Sequence, residues 1–529
     1  MFCLRRANPV FNLLKVPASP RSLVSSLRKP VSITTLSLPR CSLSTATDLC
    51  NDLFNYTSGR WVYNDVLRHE ERRLTFNVDE LCRLAAESIN QSPPDVVSIS
   101  KLAEGGFNRT FIIALRDGAQ KVARIPYPMT VPKYCAVASE AATIEYLRSF
   151  GMPVPKIYGY SPGSDNATGT AYILMEFVQG SKLSEVWRSL DDQEVISVVR
   201  QLTQLESKIM TLSFPAGGSL FFTKDLEKVA QELGIPPEDK RFCVGPDVRL
   251  PLWYGRRAQL EVNRGPCTSF SAVPFTWRSL DNQSCRCGVR GGPPLPSYHV
   301  ESLERYLSIT SSLVPSDLSL SRFCMRHPDL QYNNIIVSRS PDSDCKVIGL
   351  IGWQHASILP MFINYDDSNL DELNEAERVH EEYLYRCHLV HYHYVTSTKE
   401  CNQLHYAAFT DPLYALRGRL FQEAGTPWEG ETHNLKTALI QAAKKWEKLT
   451  GGGVPCPEEL AQAERGFEFL QSMCDVGEEG WVLPEDYDSA VVFLKDRKEA
   501  AFAGAESEED REEIMTQWPW DDMDEEKYM

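Results

Sequence analysis

The stretch Met325-Arg-His-Pro-Asp-Leu-Gln-Tyr-Asn-Asn-Ile-Ile-Val337 carries the spacing His-x-Asp-x-x-x-x-Asn, at His327, Asp329 and Asn334. On one short loop, a carboxylate such as Asp329 takes the proton of a hydroxyl. A carboxamide such as Asn334 offers a neutral oxygen to a magnesium ion on phosphates. Far upstream stand the pair Gly105–Gly106, then Arg124 and Glu140. Glycines let backbone amides approach an anion with no side chain in the way. A guanidinium holds phosphate oxygens, and a carboxylate on an apolar helix face needs a counter-charge. Arg124 is the natural partner for Glu140, and the pair would turn Arg124 toward phosphates. Together these residue types describe phosphoryl transfer.

Specific elements must hold them there. Val97, Ile99 and Leu102 begin a strand, Glu104 to Asn108 is a turn, and Phe111, Ile113 and Leu115 alternate as a second strand. Val122 and Arg124 continue into a third strand that ends before Pro126. From Val137 to Phe150, Val137, Ala141, Ile144 and Leu147 make one helical face, with Glu140 near it. Tyr172 to Val178 reads as an edge strand running into a hinge at Gln179-Gly180. Asp191-Asp192 caps a helix with apolar positions from Val195 to Ile209. Val300 to Leu313 is helical again. Ile335 to Val337 is a short buried strand, Ser338 to Asp344 a turn, and Val347 to Ile351 the returning strand. Helical spacing recurs over Ala376–Val395, Leu435–Leu449, Glu458–Cys474 and Tyr487–Phe502.

The 529 residues, 43% hydrophobic and 24% charged, suffice for one large two-lobed enzyme with a sizeable core. A formal net charge of -16 disfavours nucleic acid as a partner, and no apolar run is long enough to span a membrane. The fifteen cysteines follow no framework and read as free thiols of a reducing compartment. Residues 1–47 hold seven Lys and Arg, many serines and no acid, the composition of a mitochondrial transit peptide. The remainder divides into an extension docking on the first lobe (48–92), a nucleotide lobe (93–180) and a substrate lobe (181–450) with an irregular insertion at 267–296. C-terminal helices (451–505) and an acidic tail (506–529) follow.

Glu104-Gly-Gly-Phe-Asn-Arg109, Val122-Ala-Arg-Ile-Pro126, Ser139-Glu140, His327 to Asn334 and Gly352-Trp-Gln-His-Ala-Ser357 together resemble the aminoglycoside phosphotransferase family, which is kinase-like. Within it, the chain looks most like fungal mitochondrial proteins of the altered-inheritance-of-mitochondria type. The resemblance covers most of residues 50 to 450 and implies an α+β fold of protein-kinase type, with a small β-rich N-lobe and a larger helical C-lobe. It implies ATP and Mg2+ as cofactors, a small-molecule hydroxyl as acceptor, a mitochondrial location and passage through the import machinery. Residue by residue, it implies Asp329 as the base, Asn334 as a metal ligand and Arg124 with Glu140 as the phosphate anchor. Gly105 and Gly106 would lie over the phosphates, and backbone groups near Glu176 and Val178 would face the adenine. The family places Asp where this chain has Gly352, and magnesium is usually held by a carboxylate together with phosphates. Two readings stay open: a phosphotransferase, or a pseudokinase of the same fold serving as a binding or regulatory protein.

Overall fold

The computed structural model describes residues 53–228, 234–260, 262–268, 296–340, 343–363, 378–411, 413–425, 433–452, 455–457, 481–482, 487–504 and 511. The expectations for the leader, for most of the insertion, for a helix at Glu458–Cys474 and for nearly all of the acidic tail lie outside these residues.

The first lobe is built on five antiparallel strands: β2 (Val96–Glu104), β3 (Asn108–Leu115), β4 (Gln120–Pro126), β5 (Ile157–Ser161) and β6 (Tyr172–Glu176). Their order in the sheet is β2-β3-β4-β6-β5. Two-residue periodicity decides what each face meets. Phe111, Ile113, Ala123, Ile125 and Leu174 point to one face and pack on Phe76, Leu81 and Ala85, the last two from helix α2 (Val78–Glu87). Full burial of a side chain such as Phe111 contributes about 1.5–3 kcal/mol. Val122, Ile173 and Met175 point to the other face and pack on Val137 and Ala141 of helix α3 (Lys133–Ser149). Arg124 shares the face of Val122, so alternation alone delivers it to α3.

Helix α3 is buried nearly all round, because Ala136, Ala138, Ser139, Ala141 and Ala142 are small enough for close approach on several sides. Besides the sheet it meets the hairpin of β8 (Ser219–Phe222) and β9 (Phe242–Gly245), where Ala138 contacts Phe221 and Cys243. The expected edge strand at Tyr172–Val178 is an interior one, flanked by β4 and β5. The true edge, β5, is half-buried throughout, so its sequence shows no alternation to betray it.

Between the lobes the chain passes Gly180, where a Cβ would sit 2.6 Å from the Val337 carbonyl. Only glycine allows so close a crossing. Ser181–Lys182 (β7) then pairs with β11 (Ile335–Ser340), which pairs in turn with β12 (Ser343–Leu350), while β10 (Phe323–Met325) pairs with β13 (Ile358–Pro360). The hairpin strands run further toward the turn than the apolar pattern indicates. Helix α4 (Asp192–Thr211) opens with a capping box between Asp191 and Glu194 and buries Val195, Val198, Val199 and Leu202 in the main core. Helices α5 (Pro296–Ile309), α6 (Arg378–Cys401), α7 (Gln403–Thr410), α8 (Tyr414–Gly425), α9 (His433–Lys444) and α10 (Trp446–Thr450) complete a helical second lobe. Near the C-terminus, α11 spans Tyr487–Gly504.

The segment before the sheet docks on it. Tyr56 and Trp61 are buried against Tyr127, and the guanidinium of Arg72, at the end of helix α1 (Asp65–Arg72), lies 4.4 Å from the Trp61 ring centre. A short strand at Arg60–Trp61 (β1) also pairs with Trp481–Val482 (β14). Among the described cysteines Cys82, Cys135, Cys243, Cys267, Cys324, Cys345, Cys387, Cys401 and Cys456 are free thiols.

Candidate active site

The loop bearing Asp329 is fixed by its own polar groups. The Asp329 N–H donates to His327 Nδ1 at 3.1 Å. That bond leaves the imidazole proton on Nε2, which donates to the Ile351 carbonyl at 2.9 Å. The His327 ring also rests on fully buried Trp353, with ring centres 4.4 Å apart. Asn334 then reaches back: its Nδ2 donates to the Asp329 carbonyl at 2.8 Å and to Oδ2 at 2.9 Å. Gln331 Nε2 donates to the same Oδ2 at 2.7 Å. Two N–H donors on one oxygen hold the carboxylate in a single orientation.

Arg124 and Glu140 meet as expected, Nη1 to Oε1 at 2.8 Å. Glu140 is buried, and burial raises its carboxyl pKa while Arg124 pulls it back down. Arg124 Nη2 also donates to Gln354 Oε1 at 3.0 Å. Gln354 stands two residues beyond Gly352, and Gly352 faces Asn334 so closely that a Cβ would lie 2.9 Å from Oδ1. Arg124 is thus hydrogen-bonded to Gln354, whose segment passes Gly352 beside Asn334, and Asn334 in turn holds Asp329.

The glycine turn closes β2 onto β3. Gly105 donates its N–H to the Asn108 carbonyl at 2.9 Å, and a Cβ at Gly106 would meet nothing within 4 Å. The space above Gly106 is open, whereas the Gly105 amide is engaged within the turn. Glu104, at the base of the turn, was not singled out by its sequence context. Its carboxylate accepts from the Thr57 N–H and the Ser58 hydroxyl, both at 2.8 Å, and from Arg109 Nε at 2.9 Å. Burial works against ionised Glu104, but these donors, with Lys101, hold its pKa below the ordinary value. The preceding segment is therefore tied directly to the glycine turn. At the hinge, Glu176 donates its N–H to the Lys156 carbonyl at 2.8 Å. Val178 packs over Gly349 of the β11–β12 hairpin.

The residues present do not build a conventional magnesium site. Position 352 supplies no carboxylate, Asn334 gives a neutral oxygen, and Asp329 Oδ2 is taken by two N–H groups. Among the described residues no cluster of three His, Cys, Asp or Glu is positioned to hold a metal.

A five-stranded sheet joined past Gly180 to a helical lobe is the two-lobed α+β architecture that the resemblance implies. No family model matches the chain. It is similar to the subtelomeric hrmA-associated cluster protein of Aspergillus fumigatus, at 29% identity over 504 residues, covering 80% of this chain and 97% of that one. It is also similar to altered inheritance of mitochondria protein 9, mitochondrial, of Saccharomyces cerevisiae. That identity is 22% over 563 residues, with 84% of this chain and 89% of the relative covered. Among solved structures, a macrolide 2'-phosphotransferase of Brachybacterium faecium superposes with a TM-score of 0.31 at 13% identity, covering 68% of this chain and 96% of that one. The streptomycin–ATP ternary complex of an aminoglycoside phosphotransferase gives 0.34 at 12% identity, with 67% and 94% covered. At these scores the likeness adds nothing to the arrangement already described.

Proposed function

We propose that this is a mitochondrial phosphotransferase that moves the γ-phosphoryl group of ATP to a hydroxyl of a small molecule. Support for the location comes from the acid-free basic leader and from the similarity to a mitochondrial yeast protein. The observation that carries the chemistry is the Arg124–Gln354 bond, which brings the first lobe's guanidinium to the segment lying beside Asn334 and the Asp329 loop. Arg124, held by Glu140, neutralises phosphate charge. Asp329, oriented by Asn334 and Gln331, takes the proton as the acceptor oxygen bonds to phosphorus and ADP leaves. Gly105 and Gly106 bound the phosphate end of the cleft, and the backbone near Glu176 and Val178 lies at the hinge, where an adenine would sit.

Gly352 favours a second reading, a pseudokinase of the same fold that binds nucleotide without transferring phosphate. With no carboxylate at 352, little offsets the charge that a metal would otherwise balance in transfer. Thermal shift with ATP, with and without magnesium, combined with phosphate release separates the two. Magnesium-dependent stabilisation, with turnover that falls about 10²–10⁴-fold in Asp329→Asn, supports transfer. Metal-independent stabilisation with no turnover supports binding alone. No ATP-dependent shift under either condition contradicts both.

A further inference from the structure

Two donors from the first lobe converge on one oxygen of the second. Arg124 Nη2 donates to Gln354 Oε1 at 3.0 Å, and Asn108 Nδ2 donates to that same oxygen. Asn108 begins β3 directly after the glycine turn and is buried. It pairs in register with Pro126 on β4, so it stands beside the strand that carries Arg124. A guanidinium and a carboxamide N–H aimed at a single acceptor form the donor set of an oxyanion site. The Gln354 carbonyl oxygen, itself partly negative, occupies the acceptor position.

The segment carrying Gln354 is also anchored by its neighbours. His355 adopts φ +61°, its Nε2 lies 3.1 Å from the Val131 carbonyl, and its ring packs edge-on to Phe107 of the glycine turn, with ring centres 5.2 Å apart. Trp353, on the other side, is fully buried. Gln354 is thus a half-buried side chain between two fixed neighbours.

We propose that Asn108 and Arg124 together bind one phosphate oxygen of the nucleotide, and that Gln354 fills this site until the nucleotide displaces it. Asn108 becomes a binding residue, and Gln354 a resident competitor that sets nucleotide affinity and ties the two lobes together in the empty protein. The proposal rests on the nucleotide reading above and adds a site and an occupant to it.

Titration calorimetry of the full chain with ATP, without magnesium, tests it in Gln354→Ala, Gln354→Glu and Asn108→Ala. Removing the competitor tightens ATP binding, by roughly three- to tenfold for one charge-assisted hydrogen bond. Gln354→Glu replaces it with an anion that pairs with Arg124 and weakens ATP binding. Asn108→Ala also weakens it. Opposite shifts in the two Gln354 variants are the signature, because a merely structural role would weaken both. If the wild type binds ATP but Gln354→Ala leaves the affinity unchanged or lowers it, the resident-competitor account is overturned while the nucleotide reading stands. If Asn108→Ala binds as tightly as wild type, the two-donor site is overturned. If neither wild type nor Gln354→Ala binds ATP, the nucleotide reading falls and takes this proposal with it.

Discussion

At Gly352 the backbone takes φ +85°, and any Cβ there would press on the Asn334 carboxamide. Two penalties coincide at this residue: left-handed strain and a steric contact. Gly352→Ala is expected to destabilise the fold by about 1–2 kcal/mol. Combined with Asn334→Ala, the double variant should lose less than the sum of the single changes, because the contact is removed while the strain remains. Denaturant unfolding of the four proteins measures that coupling, and strict additivity would mean that the two residues do not touch. The pairing of Arg124 with Glu140 was legible from sequence, because a carboxylate on an apolar helix face constrains what must stand beside it. Asn108 and Gln354 also lay inside motifs but drew no assignment. A neutral amide carries no pattern, and their contact joins residues that only the folded lobes bring together.

The loop's rigidity depends on helices packed behind it. Arg326, next to His327, is buried and pairs with Glu206 of α4, Nε to Oε1 at 2.9 Å. Tyr394 of α6 donates its hydroxyl to the other oxygen of Glu206. Burial pushes the Glu206 carboxyl up, but Arg326, nearby His405 and Tyr394 together hold it below the ordinary range. Glu206→Gln, which strands a buried guanidinium, should cost about 3–5 kcal/mol in chemical denaturation. Tyr394→Phe should cost about 1 kcal/mol.

His405 of α7 gives this cluster a pH dependence. Burial, reinforced by Arg326 and opposed by Glu206, lowers its pKa from 6.5 to about 4. The unfolded chain therefore binds the proton at a higher pH than the fold does. The stability this residue contributes is whole above pH 6.5 and is lost as pH falls toward about 4. The span is worth about 3 kcal/mol. His405→Phe, which keeps the aromatic packing on Phe409, should flatten the stability profile between those limits. An unchanged slope would mean the imidazole is already protonated in the fold.

Long periodic elements such as α3 and α4 were legible, since tertiary packing only reinforced their patterns. The β8–β9 hairpin was not. Its strands are short and separated in sequence, and their packing partner is α3, distant in the chain.

On the scale of the whole molecule, two lobes and a leading segment meet at the glycine turn. Glu104 receives Thr57 and Ser58 from the leading segment on one side of the turn, while Asn108 meets Gln354 from the helical lobe on the other. Tyr56 and Trp61, of the extension at 48–92, pack on Tyr127. The pairing of Arg60–Trp61 with Trp481–Val482 joins distant parts of the chain and left no local trace. The turn is thus held from both sides. Nucleotide binding through Arg124 is the function proposed for this region. Equilibrium ATP binding to the wild type and to Arg124→Met tests it most directly. A saturable wild-type isotherm, weakened at least about tenfold in Arg124→Met by loss of a charged phosphate contact, is the predicted result; equal affinity in the two proteins, or no binding to the wild type, would contradict it.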